Sequence, residues 1–444
     1  METYDELILG GGWAGLLYAD KEVSKRKNHI AVVERDPQHK MGGLLKSEEI
    51  SGFTFDIGGP HLLFSRDVSI LSNILKILGD NVSKRERNNY VLYDGEFLPY
   101  PFENGIYKLK PELRVNFIKG ILECMLFISK NNEWKPENFK EWITGFFGEY
   151  MANEYLIPYN KKIWKRPLEN MASDWVFTPG RLPFPDLENM IKSAAGIPNV
   201  GYKEQSYFYY PKKGGIQSLY NSLFEEVKRK SVSFINGENI ISVRRNKDGT
   251  YIVNEKLNSK KLVSTIPLPE LLLNLDDSEE NRRLSNDFDY NSVIVVGVAI
   301  SSTTPNHTTV YVPDPKIIFH RYTWMSALIP SIDNSKSNLI AEITIPKGEI
   351  VDINRITSVV IKNLVDIGVI KDEKEVLFTK TWFNKYGYPI YTLNHNEVRD
   401  RAMKILKTYG IKTVGRWGSW HYWNTDMVYK AVMKINSSKG NLNE

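Results

Sequence analysis

A chain of 444 residues with 42% apolar and 12% aromatic content carries enough material for two or three domains sharing a cleft. Its formal charge of +5 is modest, and its basic residues are scattered apart from short runs such as SKRK and VKRK, which argues against a dedicated nucleic-acid binder. Cys124 is the single cysteine, so an intramolecular disulfide, a cysteine-based zinc site and a CxxC redox pair are excluded, and a reducing, cytoplasmic setting is expected.

The N-terminal stretch METYDELILGGG enters a strand almost at once and shows neither the basic region nor the cleavage site of a signal peptide. DELIL, residues 5–9, reads as a buried strand, and the glycine run reads as a tight turn. Leu16 to about Val23 predicts a helix, and HIAVVERD begins a second strand. This is the order in which dinucleotides are cradled. Gly10, Gly12 and Gly15 satisfy G-x-G-x-x-G: the first permits the turn, the second lets the backbone approach a pyrophosphate, and the third lets helix and strand pack closely. The helix N-terminus offers free N–H groups to the phosphates. Glu34 closes the second strand, where a carboxylate accepts hydrogen bonds from the adenosine ribose and favours NAD or FAD over NADP. Trp13, inside the loop, reads as a packing residue.

Two further glycine turns follow, Gly42 and Gly43 in DPQHKMGGLLKS and then FTFDIGGPHLLFS. They suggest a cofactor stretched beneath a longer loop, which points to FAD rather than NAD. FIKGILECMLFIS reads as a mostly buried helix with Cys124 packed inside it; Lys119 and Glu123 interrupt it well short of the roughly 20 apolar residues that span a bilayer. VIVVGVAIS and NLIAEITI read as strands, and NSSKGNLNE as a frayed end. Histidines do not recur at ligand spacing, so no metal site is expected.

The glycine-rich segments resemble those of glutathione-reductase-like FAD proteins, a group that includes amine oxidases, protoporphyrinogen oxidases and UDP-galactopyranose mutases. FLPYPFENGIYKL, YLIPYNKKIWKRPLENMASDW, FYYPKKGGIQSLYNSL, KYGYPIYT and VGRWGSWHYWNTDM resemble mutase segments, in family order from about residue 5 to about residue 430 and nearer the eukaryotic-type enzymes. Residues about 130–145, 270–290 and 330–375 carry little of the resemblance.

The resemblance implies an α+β fold: an FAD-binding Rossmann-like domain from residues 1–82, 203–265 and 405–444, a helical substrate domain over 103–202, and an antiparallel β-sheet domain from 83–102 and 266–404. It implies an isomerase of cell-surface glycan biosynthesis that interconverts UDP-galactopyranose and UDP-galactofuranose, or a related nucleotide sugar. Reduced FAD would attack the anomeric carbon through N5 with no net redox, and the partners would be small molecules rather than nucleic acid or membrane.

Arg181 in TPGRLPFP and Arg321 in IIFHRYTW resemble two family arginines that clamp the departing diphosphate, and His61 resembles a histidine beside the flavin. Tyr311, Tyr388 and Tyr422 resemble the diphosphate tyrosines; Tyr100, Phe102, Glu103, Asn160 and Trp164 fall where nucleotide and sugar would be held. Gly10, Gly12, Gly15, Glu34, Gly42, Gly43, Leu44, Ile240, Gly415, Arg416, Asn424, Asp426 and Met427 would bind FAD, Ile240 as a strand residue pairing with adenine. Asp426 also reads as a helix cap. Arg87 resembles an arginine that helps NAD(P)H reduce the flavin.

Three positions depart from the family: Glu103 replaces a glutamine that reads uracil, Gln205 an asparagine and Thr309 a tryptophan. They leave the base and the hexose open. A second reading, an FAD-dependent amine or protoporphyrinogen oxidase, shares the cofactor fold, as does a flavin-binding scaffold without turnover. Arg181 and Arg321 would discriminate against the oxidase, since an uncharged substrate has no need of two buried cations beside the flavin.

Overall fold

The structure, a computed structural model, describes residues 2–24, 29–131, 134–177, 186–198, 207–275, 278–331 and 333–435. Its fold class is α+β, with two seven-stranded sheets and helices packed on and between them. In the first sheet Leu257–Ser264, Glu2–Leu9, Ile30–Glu34 and Ser233–Asn236 run parallel in that spatial order, with Lys412–Thr413 beside the first of them. Leu7, Ile8 and Leu9 have no exposed surface, as expected of a parallel strand covered on both faces. The hairpin strands Val243–Arg245 and Tyr251–Val253 extend the same sheet antiparallel.

The helix after the glycine turn spans Trp13–Val23, three residues earlier than its apolar pattern predicts. Gly12 takes the N-cap in extended conformation, so the turn is over sooner than four glycines suggest. Trp13 packs under the helix start, and its Nε1 donates to the Thr425 carbonyl at the head of the C-terminal helix Thr425–Lys434. Two helix N-termini are thereby fixed side by side.

The second sheet is antiparallel apart from one parallel pairing, Thr309–Tyr311 against Tyr90–Tyr93. Tyr290–Ile300 is buried along its whole length between Val376–Pro389 and Ser337–Pro346. Helices Pro111–Lys130, Phe139–Phe147 and Leu187–Ala194 pack on one another, and Ile157–Trp164 packs against the strand Ser337–Pro346 of this sheet. Lys162 pins the latter helix in place: its Nζ donates to the carbonyls of Val312 and Asp314 at 2.7 and 2.8 Å, and burial pulls its pKa down to about 7. One continuous apolar core links Ile8 and Leu16 of the first sheet and its helix to Phe55, Val295, Trp142 and Trp175. The cleft between the parts is therefore walled by fixed elements.

One helix departs from expectation. Pro111–Lys130 buries Phe117, Gly120, Ile121 and Cys124, but its outer face exposes Val115, Leu122, Met125, Leu126, Phe127 and Ile128, so it is apolar on two faces rather than mostly buried. Cys124 is a packing residue: its thiol donates to the Gly145 carbonyl, and burial raises its pKa. No helix among the described residues is long and apolar enough to cross a membrane.

Candidate active site

A trough runs along the carboxyl ends of the parallel strands, where ligands of open α/β sheets bind. Gly10, Gly12, Glu34, Gly43, Leu44, Ile240, Arg416 and Asn424 line it. A Cβ on Gly43, which has φ +60°, would stand 3.4 Å from the Gly12 Cα, so the two turns meet backbone to backbone. A Cβ on Gly15 would fall 2.0 Å from the Gly10 carbonyl oxygen, which makes Gly15 the helix–strand contact. Glu34 accepts from the N–H groups of Gly11 (2.7 Å) and Asp36 (3.0 Å), which hold its carboxylate at the edge of the trough.

The trough fits an extended anionic dinucleotide. The helices Trp13–Val23 and Thr425–Lys434 both begin against it without a side-chain cap, leaving their first N–H groups for a ligand. Among the described residues, Arg416 Nε, Asn424 Nδ2 and Asp426 Oδ1 are buried without a hydrogen-bond partner. Polar atoms in that condition are costly unless a ligand or water completes them.

Leu44, His61, Asn384, Arg416, Asn424 and Thr425 belong equally to a second cavity, of about 260 Å³, so the two spaces join. From the junction this cavity passes Tyr422, Tyr388 and Arg321, then Tyr311, and ends among Tyr100, Phe102, Glu103 and Tyr155. Tyr100 stacks on Tyr311 with ring centroids 4.5 Å apart, and Phe102 stacks on Tyr155 at 4.3 Å. The far end is an aromatic slot, suited to a planar base.

Two guanidiniums differ in how their charge is met. Arg321 sits opposite Glu342 on the adjacent strand and donates to both of its oxygens, Nε to Oε1 at 2.6 Å and Nη2 to Oε2 at 2.7 Å. Burial works against the Arg321 charge, but Glu342 and then Tyr388 outweigh it and hold its pKa well above the ordinary value. Arg416 donates instead to the carbonyls of Trp423 (3.2 Å) and Gly387 (2.6 Å) and lies over the Tyr422 ring at 4.7 Å. Burial, with Arg321 contributing, pulls its pKa down. A buried cation lacking a carboxylate partner is the state an anionic ligand relieves.

The structure brings Arg321, His61, Tyr100, Phe102, Glu103, Asn160, Trp164, Tyr311, Tyr388 and Tyr422 to the walls of this one cavity. Arg181 and Gln205 lie outside the described residues. Asn160 donates to the Leu156 carbonyl and accepts from Trp164 Nε1, so it orients Trp164. Thr309 is buried and hydrogen-bonded to Thr323. Gly15, Gly42, Gly415, Asp426 and Met427 support the trough without lining it; a Cβ on Gly415 would come within 2.6 Å of Ala14 Cβ.

Two readings need correction. Ile240 is not a strand residue: it precedes the strand Val243–Arg245, and its carbonyl is taken by Asn274 Nδ2 at 2.9 Å, although its side chain does line the trough. Asn424, not Asp426, takes the N-cap position of the C-terminal helix, without a side-chain hydrogen bond, and Asp426 is the second helical residue. Sequence reasoning missed Glu342, although a carboxylate within the apolar run NLIAEITI is a signal that a buried cation lies across from it. It also passed over Tyr155 and Tyr159, which stood in a quoted segment. Among the described residues no cluster of histidine, cysteine and acidic groups could hold a metal ion.

Comparison with known proteins places the chain. Residues 8–78 match the NAD(P)-binding Rossmann-like domain family. An uncharacterized protein encoded in the nifH2 3′ region of Methanothermococcus thermolithotrophicus is 34% identical over 94 residues, 21% of this chain and 76% of that protein. The two belong to one family. The solved structure of a reduced UDP-galactopyranose mutase superposes with a TM-score of 0.85 at 24% identity, over 96% of this chain and 93% of that one. A protein of Exiguobacterium sp. 255-15, provisionally described as a protoporphyrinogen oxidase, superposes with a TM-score of 0.72 at 16% identity over 97% of both chains. The chain has the fold these enzymes share.

Proposed function

We propose that this chain is a flavin-dependent nucleotide-sugar mutase, interconverting UDP-galactopyranose and UDP-galactofuranose, or a related nucleoside-diphosphate hexose, without net redox. The observation that carries the reading is the joined pair of spaces, a dinucleotide trough opening at Arg416 onto a cavity that holds Arg321 among Tyr311, Tyr388 and Tyr422. The fold shared with a UDP-galactopyranose mutase supports it. The trough residues, with the two uncapped helix starts, would hold FAD, which in its reduced form supplies a nucleophilic N5 at the anomeric carbon.

The chain's own part is to receive a diphosphate and keep it. Arg321 has N–H groups left after pairing with Glu342, and these, with the three tyrosine hydroxyls, would donate to the phosphate oxygens as negative charge develops. Because Glu342 compensates Arg321, the positive charge of the described cavity comes from Arg416 and Arg87; Arg181 would add to it. Retention of the diphosphate makes its return effectively intramolecular. The aromatic slot at Tyr100, Phe102 and Tyr155 would receive the base, with Glu103 at its edge. An ionised carboxylate accepts from an N–H and cannot donate to a carbonyl, so Glu103 governs which base is taken.

The test is anaerobic incubation of the holoenzyme with UDP-galactofuranose, with and without dithionite. Conversion to the pyranose by the reduced enzyme alone is the expected result. Oxygen consumption with an amine or porphyrinogen, and no sugar conversion, would replace the mutase with the oxidase reading.

A further inference from the structure

The helix Pro111–Lys130 is amphipathic on its outer side as well as its inner one. Phe117, Gly120, Ile121 and Cys124 face inward, where a Cβ on Gly120 would lie 3.5 Å from the Tyr150 side chain. On the outside, Val115, Leu122 and Leu126 are 61%, 47% and 59% exposed and follow the spacing of one helical stripe. Such a stripe on a helix already packed on its other face marks an interaction surface.

A row of charges borders that stripe and indicates what covers it. Glu112, Lys119, Glu123 and Lys130 are exposed and, at 3.6 residues per turn, fall within about 20° of one line along the helix. They are arranged symmetrically about Ile121: Lys119 and Glu123 lie two residues to either side, Glu112 and Lys130 nine residues to either side, and each pair has opposite signs. An identical helix running antiparallel, with a two-fold axis at the level of Ile121, would set Lys119 against Glu123 and Glu112 against Lys130 in both directions. In that register residue i lies level with residue 242 − i, so Val115 falls within one residue of Leu126, and Leu122 within two residues of its own copy. A membrane-bound helix would carry a predominantly basic polar face, whereas this row is balanced.

We propose that this face is the interface of a two-fold symmetric homodimer, closed by antiparallel packing of Pro111–Lys130 against the same helix of a second copy. A surface that complements itself under a two-fold rotation gives a closed, isologous contact. The proposal is independent of the catalytic reading. It uses charges flanking an apolar seam, the arrangement by which paired helices choose partner and orientation.

Sedimentation velocity of the full chain over a range of concentrations tests it, with the single variants Lys119→Glu and Glu123→Lys as the decisive pair. Each alone places like charges across the axis twice, and is expected to weaken the dimer at least about tenfold. Mixed in equal amounts, the two variants restore opposite charges at both contacts, so a heterodimer near wild-type affinity is expected. Leu122→Glu/Leu126→Glu should be monomeric with an unchanged far-ultraviolet circular dichroism spectrum. A monomeric wild type, a dimer indifferent to all of these changes, a mixture no tighter than its components, or a monomer that instead pellets with anionic phospholipid vesicles would each overturn the proposal.

Discussion

Glu342 lies between Arg321, whose guanidinium it binds through two hydrogen bonds, and Gly59 of the GGPH turn, where an added Cβ would stand 2.9 Å from its Oε2. The carboxylate therefore fixes the arginine from one side and meets the turn carrying His61 on the other. Glu342→Gln keeps an acceptor for Arg321 but removes the counter-charge. We expect stability to fall by about 3 kcal/mol, the usual cost of leaving a buried charge unpaired, while UDP binds more tightly because the cavity gains net positive charge. Urea unfolding and a UDP titration of the flavin spectrum measure the two; a change in the same direction in both would contradict this account of Arg321.

Arg321→Ala is predicted to leave the holoenzyme yellow and to lower turnover about 10²-fold or more, as loss of a group that stabilises developing negative charge does. Arg181→Ala should behave likewise. Loss of flavin from either variant, with turnover per bound flavin unchanged, would show that these arginines serve the cofactor.

Arg416 gives the opposite pattern. Its charge is buried beside Tyr422 without a carboxylate partner, so Arg416→Met should raise the melting temperature of the flavin-free protein while weakening FAD binding tenfold or more. Unchanged FAD affinity would mean that the cation serves something other than the dinucleotide.

Arg87 lines the same cavity, its Nε and Nη2 buried without a hydrogen-bond partner and its guanidinium over the Phe64 ring at 5.0 Å. If it receives the phosphate or ribose of a reduced nicotinamide nucleotide, anaerobic NADH or NADPH bleaches the yellow band of the wild type, and Arg87→Ala slows that bleaching while dithionite still works. Failure of both nucleotides with the wild type removes the idea.

The segment that carries Tyr422 supplies a pH prediction. Tyr391 accepts from the Tyr422 N–H at 3.1 Å, stacks on His395 and lies 3.2 Å from His421 Nδ1, while Arg399 donates to His421 Nε2. Burial, then Arg399, pulls the pKa of His395 down to about 4 and that of His421 down to about 3. The unfolded chain binds protons at these rings below about 6.5, before the folded one does, so stability is complete above that pH and declines as pH falls toward 4. Each ring contributes a loss on the order of 3 kcal/mol over that range. His395→Gln/His421→Gln should flatten the decline of the urea midpoint; an identical slope in the variant would sink the explanation.

Much of this was legible in the sequence because backbone constraints leave strong local signatures. Gly10, Gly12 and Gly15 specify a turn that few other residues permit, and DELIL and VIVVGVAIS, read as strands, fall within the strands Glu2–Leu9 and Tyr290–Ile300. What could not be read depends on partners distant in the chain. Glu342 is intelligible only when Arg321 is placed opposite it, Asn160 only when its bonds to Leu156 and Trp164 are seen, and Ile240 only when Asn274 is found on its carbonyl. The outer face of Pro111–Lys130 misled for the same reason: apolar content predicts burial, but not whether the burying surface belongs to the same chain.

The central claim is that the bond between the anomeric carbon and the diphosphate breaks and re-forms while the diphosphate stays in the cavity. Positional isotope exchange tests this directly, using UDP-galactopyranose labelled with ¹⁸O in the bond joining sugar to β-phosphate. With dithionite-reduced holoenzyme the label should scramble into the non-bridging β-phosphate oxygens at least as fast as the furanose forms, without scrambling when the flavin is oxidised. Label that stays in the bridge while furanose accumulates would contradict the account.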